Sequence, residues 1–152
     1  MNCNTQCMQR GLGLLDGIGG WLPNLVIRFF LAYEFWLAGV NKWNGENWFA
    51  DIQSNFPFPF SIIPVEISWQ ISMWTELVVP ILLVLGLATR FASVSLIILT
   101  IVAWISVHAG HGYNVCDNGY QLPLMYLVMF LPLLFQGAGK LSVDNLIRNK
   151  LG

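Results

Sequence analysis

A chain of 152 residues in which 56% are hydrophobic and only 10% are charged cannot cover the surface of a soluble domain, where about a quarter of the residues are charged. The net charge of −1 and the lack of a basic cluster in the sequence exclude a nucleic-acid-binding protein. We therefore predict an integral membrane protein with a single small domain.

The N-terminal segment, residues 1–20, is rich in glycine, which disfavours a stable helix. We predict a loose arm here, and the single basic residue Arg10 argues against a signal peptide. Cys3 and Cys7 lie in this arm, far in sequence from Cys116. Three cysteines are too few for a disulfide framework, or for an iron–sulfur cluster held by this chain alone.

The first predicted span runs from Leu22 to Val40 and contains Arg28 and Glu34. The two lie six residues apart, about 240° around a helix, so they are not natural partners within it. Each is expected to find an opposite charge on another helix. We predict that Arg28 pairs with Glu76, with Glu34 as the alternative.

A long aromatic loop, Asn41 to Ile63, follows this span. Residues 46–53 are predicted to form two helical turns, and the prolines of the FPFPF segment to hold it extended. Aromatic side chains at this density anchor helix ends at the lipid headgroups, or else cover the entrance of a lipid-soluble ligand. If they bind a ligand, the candidate contacts are Trp43, Trp48, Phe49, Trp69 and Trp74.

The second predicted span, Pro64 to Arg90, holds Glu76 near its midpoint. Roughly 24 mostly apolar residues reach about 36 Å, enough to cross a bilayer core. A carboxylate at this depth costs on the order of 3 kcal/mol and therefore requires a partner. Pro80 has no N–H for the carbonyl of Glu76, four residues earlier. Glu76 is thus either part of a working site or a packed residue in a kinked helix.

Two further spans, Arg90 to Val107 and Tyr120 to Phe135, complete the predicted fold. It is an all-α membrane protein, a four-transmembrane-helix bundle over residues 21–139, with the aromatic interfacial loop between helices 1 and 2. Residues 140–152 form a short amphipathic tail. Arg10, Arg90, Lys140, Arg148 and Lys150 fall on one side, against Lys42 on the other. The positive-inside rule then places both termini in the cytoplasm.

A group of metal-ligating side chains follows the third span: His108, His111 and Cys116. Imidazole and thiolate ligands together suit zinc or copper. The spacing matches no strong motif, and polar capping of the helix end by solvated histidines is the competing interpretation. Haem is disfavoured because both histidines lie at one helix end.

Three short motifs, in their order along the chain, resemble the DoxX family. They are RFFLAYEFWLAGVNKW from Arg28, ELVVPILLVLGLATR from Glu76, and GAGKLSVD at residues 137–144. The stretch ENWFADIQSNFPFPF, followed by ISW, is similar to the HvfX subgroup. Membership implies a four-helix inner-membrane bundle linked to quinone- or thiol-dependent oxidoreductase complexes. The subgroup further implies a maturation or export accessory for copper-responsive modified peptides. This chain has Val78, Val79 and Pro80 where many relatives have glycines.

Three functional hypotheses remain open at this point. In the first, the protein is an accessory subunit of a redox system that binds a quinone-like or thiol-linked substrate, with Glu76, Arg28 and Glu34 as catalytic residues. In the second, the same charges serve transport, or maturation and export of a copper-binding peptide. In the third, these charged residues only stabilise the helix packing of a structural protein. We predict no tightly bound cofactor, with quinone and copper as candidate ligands. The expected partners are the lipid bilayer and a membrane or peripheral protein, with a homo-oligomer as an alternative.

Overall fold

The structure, a computed structural model, describes residues 12–13 and 15–151, without the side chain of residue 151. Most of the predicted arm, including Cys3 and Cys7, lies outside this part. The described part of the arm is helical at residues 12–13 and 15–19, where we expected a loose segment. Leu12, Leu15 and Ile18 recur at helical spacing, and this apolar stripe offsets the low helix propensity of the glycines between them.

The described part of the chain is helical and contains no strand. Three-residue 3-10 turns, Gln53–Asn55 and Phe60–Ile62, follow the second helix. A π-helical turn, Trp104–His108, continues the fourth. The helices are α1 (Leu22–Asn44), α2 (Phe49–Ile52), α3 (Val65–Leu85), α4 (Thr89–Ala103), α5 (Gln121–Gln136) and α6 (Val143–Leu151).

The helix ends follow from local chemistry. A proline in the first turn of α1 has no N–H to leave unpaired there. Helix α3 ends at Gly86, which adopts the left-handed conformation with φ +65°, as expected for glycine after a helix. Only residues 86–88 then separate α3 from α4, so the predicted antiparallel hairpin of these two helices is present.

The hydrophobic core lies where α1, α3, α4 and α5 meet. Helix α1 packs mainly on α3, and α4 packs between α3 and α5. Leu31, Leu83, Leu96, Phe130 and Leu133 are fully buried in this core. The outward faces of the same helices carry exposed isoleucine, valine, leucine and phenylalanine.

Two helical stretches of the described chain are long and apolar enough to cross a membrane. They are α3, with 21 residues, and the continuous helix Thr89–His108, with 20. Less than half of each stretch is buried, whereas the core helix of a soluble protein is mostly covered. The exposed apolar surface of both helices therefore agrees with a lipid-facing position.

The aromatic loop differs from its predicted shape. Helix α2 has four residues instead of two full turns. Phe56 is extended, but the chain turns at Phe58 because the N–H of Phe60 donates to the carbonyl of Pro57 at 2.8 Å. This turn starts a 3-10 helix and folds the loop back over the start of α3 and the end of α4.

Candidate functional site

The buried carboxylate of Glu76 pairs with Lys42. The Lys42 ammonium donates to Oε1 at 2.6 Å and to Oε2 at 2.5 Å. Glu76 is only 3% exposed and Lys42 13%, so water screens this pair weakly. The predicted pairing of Glu76 with Arg28 is wrong.

A close helix crossing brings the two charges together. A Cβ on Gly39 would lie 2.9 Å from the carbonyl carbon of Glu76, so only glycine permits α1 to approach α3 this closely. Lys42 lies three residues beyond Gly39, on the same face of α1. Arg28, eleven residues before Gly39, also shares this face. This shared face is visible in the sequence, but it indicates Lys42 as a partner for α3 only once the crossing at Gly39 is known.

Arg28 binds backbone carbonyls instead of a carboxylate. Its Nε donates to Leu83 at 2.7 Å and its Nη2 to Val84 at 2.7 Å. Its Nη1 donates to Ala138 at 2.9 Å and to Leu141 at 2.8 Å. The first two carbonyls belong to the last turn of α3, where the helical N–H partners run out. The carbonyl of Leu83 also accepts from the N–H of Gly86 at 3.1 Å. Arg28 is 1% exposed and joins the end of α3 to the segment that leads into α6.

Sequence motifs that are distant in the chain meet around Arg28. A Cβ on Gly86 would lie 2.6 Å from both Arg28 Nη2 and Ser142 Cβ, so this turn has no room for a larger residue. The carboxylate of Asp144 accepts from the N–H groups of Ala88 and Thr89 at 2.7 and 3.0 Å. It thereby caps the start of α4. The end of the ELVVPILLVLGLATR motif therefore packs against the GAGKLSVD motif, and together they form one structural junction.

Glu34 has a third, separate environment. The Tyr126 hydroxyl donates to Glu34 Oε2 at 2.9 Å, between α1 and α5. The three residues predicted to act together thus bond to three different partners: Glu76 to Lys42, Arg28 to carbonyls and Glu34 to Tyr126. The structure does not bring them into a single site.

A cavity of about 240 Å³ borders the Lys42–Glu76 pair. We call it the outer cavity. The aromatic loop, α3 and the end of α4 enclose it, and most of its wall is apolar. Its lining includes Lys42, Trp48, Phe49, Phe56, Phe60, Ile63, Ser68, Ile71, Ser72, Thr75, Glu76, Ser95, Ile98, Leu99, Val102, Ala103, Ser106 and Val107.

Two hydroxyls in this wall have no hydrogen-bond partner among the residues that the structure describes. They belong to Ser68 on α3 and Ser106 in the π-helical turn, and both atoms are buried. An unpaired buried hydroxyl costs roughly 1–3 kcal/mol, and π-helical turns are frequent at functional sites. Sequence reasoning assigned neither serine to a site, although Ser68 lies in the ISW stretch that is similar to the HvfX subgroup.

Of the five predicted aromatic contacts, Trp48 and Phe49 line the outer cavity. Phe49 also lies under the ammonium of Lys42, with 5.9 Å between Nζ and the ring centroid. Trp69 is buried behind them, edge-on to Trp48 at 6.1 Å and to Phe49 at 5.1 Å. Trp43 on α1 and Trp74 on α3 pack on each other at 5.6 Å and are exposed. The predicted contacts therefore divide between the cavity wall and an exposed pair on two helices.

The predicted metal ligands do not assemble. His108 Nδ1 lies 2.6 Å from the carbonyl oxygen of Asn118, and Cys116 is exposed. Among the residues that the structure describes, no three His, Cys, Asp or Glu side chains form a group able to hold a metal ion. The π-helical turn is one reason, because it changes the phase of the helix from which the histidine spacing was inferred.

The family follows from a sequence comparison. The DoxX family profile matches residues 24–109, a range that contains Arg28, Gly39, Lys42, Glu76 and Gly86. The chain belongs to the DoxX family. The DoxX match thus covers the Lys42–Glu76 pair and Arg28, whereas Ala138, Leu141 and Asp144 of the Arg28 junction lie beyond it.

Relatives of this DoxX protein occur in Haemophilus influenzae. One uncharacterized protein of that species is 58% identical over 134 residues, covering 88% of this chain and 89% of the relative. A second uncharacterized protein is 41% identical over 73 residues, covering 46% of this chain and 54% of the relative. No solved structure matches this chain.

Proposed function

We propose that this DoxX protein is an inner-membrane accessory subunit of a redox system and binds a quinone-like ring in the outer cavity. The main support for this proposal is that the wall of the outer cavity is mostly apolar and contains a buried ion pair and two unpaired hydroxyls. Ligand pockets combine such a wall with a few polar groups that fix orientation. In this proposal all four long helices cross the bilayer, with both termini in the cytoplasm.

The chemistry of the wall suits a flat ring with two oxygen acceptors. Phe49 and Phe56 offer aromatic faces and edges. The ammonium of Lys42 offers a donor, and the unpaired hydroxyls of Ser68 and Ser106 lie buried in the same wall. A cavity of about 240 Å³ accommodates a ring headgroup without a long tail.

The outer cavity also has a route for the tail of such a molecule. Ile71 on α3 and Ile98 on α4 line the cavity, and both are about half exposed on the apolar outer surface. An isoprenoid tail leaving between these helices would remain in lipid. This geometry supports a ligand that enters from the bilayer.

The proposed role of the ion pair is proton exchange. Reduction of a quinone to a hydroquinone consumes two electrons and two protons. A dithiol of a partner protein supplies both when it becomes a disulfide. Glu76 carries one of these protons to a ring oxygen. Lys42, and not the predicted partner Arg28, supplies the opposing positive charge. A group positioned to transfer protons is what this reaction requires of the membrane subunit.

A binding titration tests this proposal. A benzoquinone with a decyl tail is titrated into the full chain in lipid nanodiscs, and quenching of tryptophan fluorescence reports binding. Glu76→Gln, or Ala103→Phe to fill the cavity, is expected to weaken binding at least tenfold. Glu66→Gln, an exposed carboxylate at the start of the same helix, is the matched control. Equal affinity for the wild type and Ala103→Phe would overturn the proposal.

The HvfX resemblance implies a different function, in the maturation or export of a copper-binding modified peptide. The same preparation separates the two proposals. Copper retained after dialysis, and lost when His108, His111 and Cys116 are replaced by alanine, would favour the peptide function. Under the quinone proposal this triple variant keeps its quinone affinity.

A further inference from the structure

A second cavity lies at the other end of α1 from the Lys42–Glu76 pair. It measures about 490 Å³, and we call it the basic cavity. The start of α1, the start of α4, the end of α5 and α6 all contribute to its wall. The proposed function does not use this space, and Ala138, Ser142 and Asp144 of the Arg28 junction form part of its wall.

Positive charge dominates the basic cavity. Arg90, Lys140 and Arg148 line it, and all three are exposed. The carboxylate that shares the wall, Asp144, already accepts two backbone N–H bonds at the start of α4. The nearby charges therefore favour an anion, even with Asp144 present.

An unpaired hydroxyl marks the same wall. Thr89, the first residue of the 15-residue helix α4, lines the cavity and is fully buried. Its hydroxyl has no hydrogen-bond partner in residues 12–13 and 15–151. The start of a helix favours negative charge because its first N–H groups point outward along the helix dipole. A ligand that supplies acceptor oxygens at this place would satisfy this hydroxyl.

The rim of the cavity is apolar. Phe91 lines it and is 67% exposed. Phe135, 71% exposed, precedes the Gln136–Lys140 segment of the wall, and its carbonyl accepts from Arg90 at 3.1 Å. Leu141, Leu146 and Ile147 are exposed near the basic residues of α6. Basic side chains beside exposed apolar ones are the pattern of a surface that binds anionic lipid.

We infer that the basic cavity binds the phosphate of an anionic phospholipid, with the acyl chains lying along Phe91 and Phe135. Phosphate oxygens are acceptors for Arg90, Lys140 and Arg148 and for the hydroxyl of Thr89. The site is built where α6 folds back on the bundle, so lipid binding also holds this helix at the membrane surface.

Native mass spectrometry of the full chain in mild detergent tests the assignment. The probe is phosphatidylglycerol, with phosphatidylcholine as the neutral comparison. The double variant Lys140→Gln, Arg148→Gln is expected to lose about fivefold in affinity for each charge removed. Within the described part of the chain, the Lys140 side chain makes no hydrogen bond to the bundle, and that of Arg148 donates only to Asn145 within α6. Lys150→Gln, exposed on α6 outside the cavity, is the matched control and keeps wild-type affinity.

Three results would overturn the inference. One is equal affinity for phosphatidylcholine, and another is unchanged binding by the double variant. The third is displacement of the lipid by low millimolar inorganic phosphate, which would assign the cavity to free phosphate. Quinone affinity, measured on the same double variant, is expected to stay at the wild-type value, because Lys140 and Arg148 do not line the outer cavity. The two proposals therefore fail independently.

Discussion

At the scale of single residues, Lys42 compensates the charge of the carboxylate in the middle of α3. Lys42→Met would leave Glu76 buried without its counter-charge, and we expect the free energy of unfolding to fall by about 3 kcal/mol. The double variant Lys42→Met, Glu76→Met should recover most of this loss, because replacing both partners leaves no unpaired charge. Unfolding in mixed micelles, followed by circular dichroism, measures both.

Lys150→Met serves as the control for this cycle, since Lys150 is exposed and its loss should change stability little. A Lys42→Met protein as stable as the wild type would show that the ion pair contributes nothing. The quinone titration on both variants then shows whether binding depends on the charges or only on the shape of the cavity.

Arg28 gives the second prediction at this scale. Its planar guanidinium reaches carbonyls of two separate segments, which a lysine with a single nitrogen cannot do. Arg28→Lys is therefore expected to lower the free energy of unfolding by roughly 2–3 kcal/mol. Arg148→Lys, at an exposed position, is the control. Quinone affinity is expected to survive in Arg28→Lys, and its selective loss without a loss of stability would restore Arg28 to the ligand site.

The residue scale also shows where sequence reasoning stops. The need of Glu76 for a partner follows from the cost of a charge in lipid, and this part could be stated in advance. The identity of the partner could not, because it depends on the register between α1 and α3. Gly39 sets that register, and glycine in a membrane helix is common enough that its position alone does not reveal a crossing point.

At the scale of elements, the crossing of α1 and α3 determines the geometry of the site. Gly39→Ala would place a Cβ about 3 Å from the backbone of Glu76, and overpacking of this kind costs roughly 1–3 kcal/mol. We expect both a lower free energy of unfolding and weaker quinone binding, because Lys42 and Glu76 move apart. Gly17→Ala is the control, since a Cβ there meets nothing within 4 Å. Equal losses of stability and of quinone affinity in Gly39→Ala and Gly17→Ala would contradict a close crossing of α1 and α3 at Gly39.

The elements differ in how far the sequence predicted them. The α3–α4 hairpin followed from hydrophobic length, a glycine and a short connection, all of which are local signals. The π-helical turn, and the return of the aromatic loop through Phe60, depend on contacts between segments. Phe49 and Phe56 pack at 5.3 Å within that loop, and such tertiary pairs leave no period in the sequence. Ser106 is placed at the outer cavity by one of these irregular segments.

At the scale of the whole molecule, the two cavities lie at opposite ends of α1. One borders the buried ion pair and the other borders exposed basic residues. The excess of lysine and arginine at the second end predicts that it faces the cytoplasm. The DoxX family and the helical architecture could be anticipated from sequence. The separation of Arg28 from Glu76 could not, since the sequence shows both only as charges within apolar spans.

Cysteine labelling in intact cells tests this orientation. Cys116 is exposed in the loop between α4 and α5, so a membrane-impermeant maleimide should label it from outside in a Cys3→Ser, Cys7→Ser background. Asn145→Cys, made together with Cys116→Ser in that background, is expected to react only after the membrane is permeabilised. The reverse pattern would invert the topology and place the outer cavity on the cytoplasmic side.

The most direct measurement for the central claim is the position of a photoreactive quinone. An azido-benzoquinone is irradiated with the full chain in nanodiscs, and the labelled peptides are identified by mass spectrometry. We predict adducts on the walls of the outer cavity, around Phe49 and around Ser106, and their loss in Ala103→Trp. Adducts confined to the lipid-facing groove near Tyr33 and Ile81, or labelling unchanged by Ala103→Trp, would contradict the account.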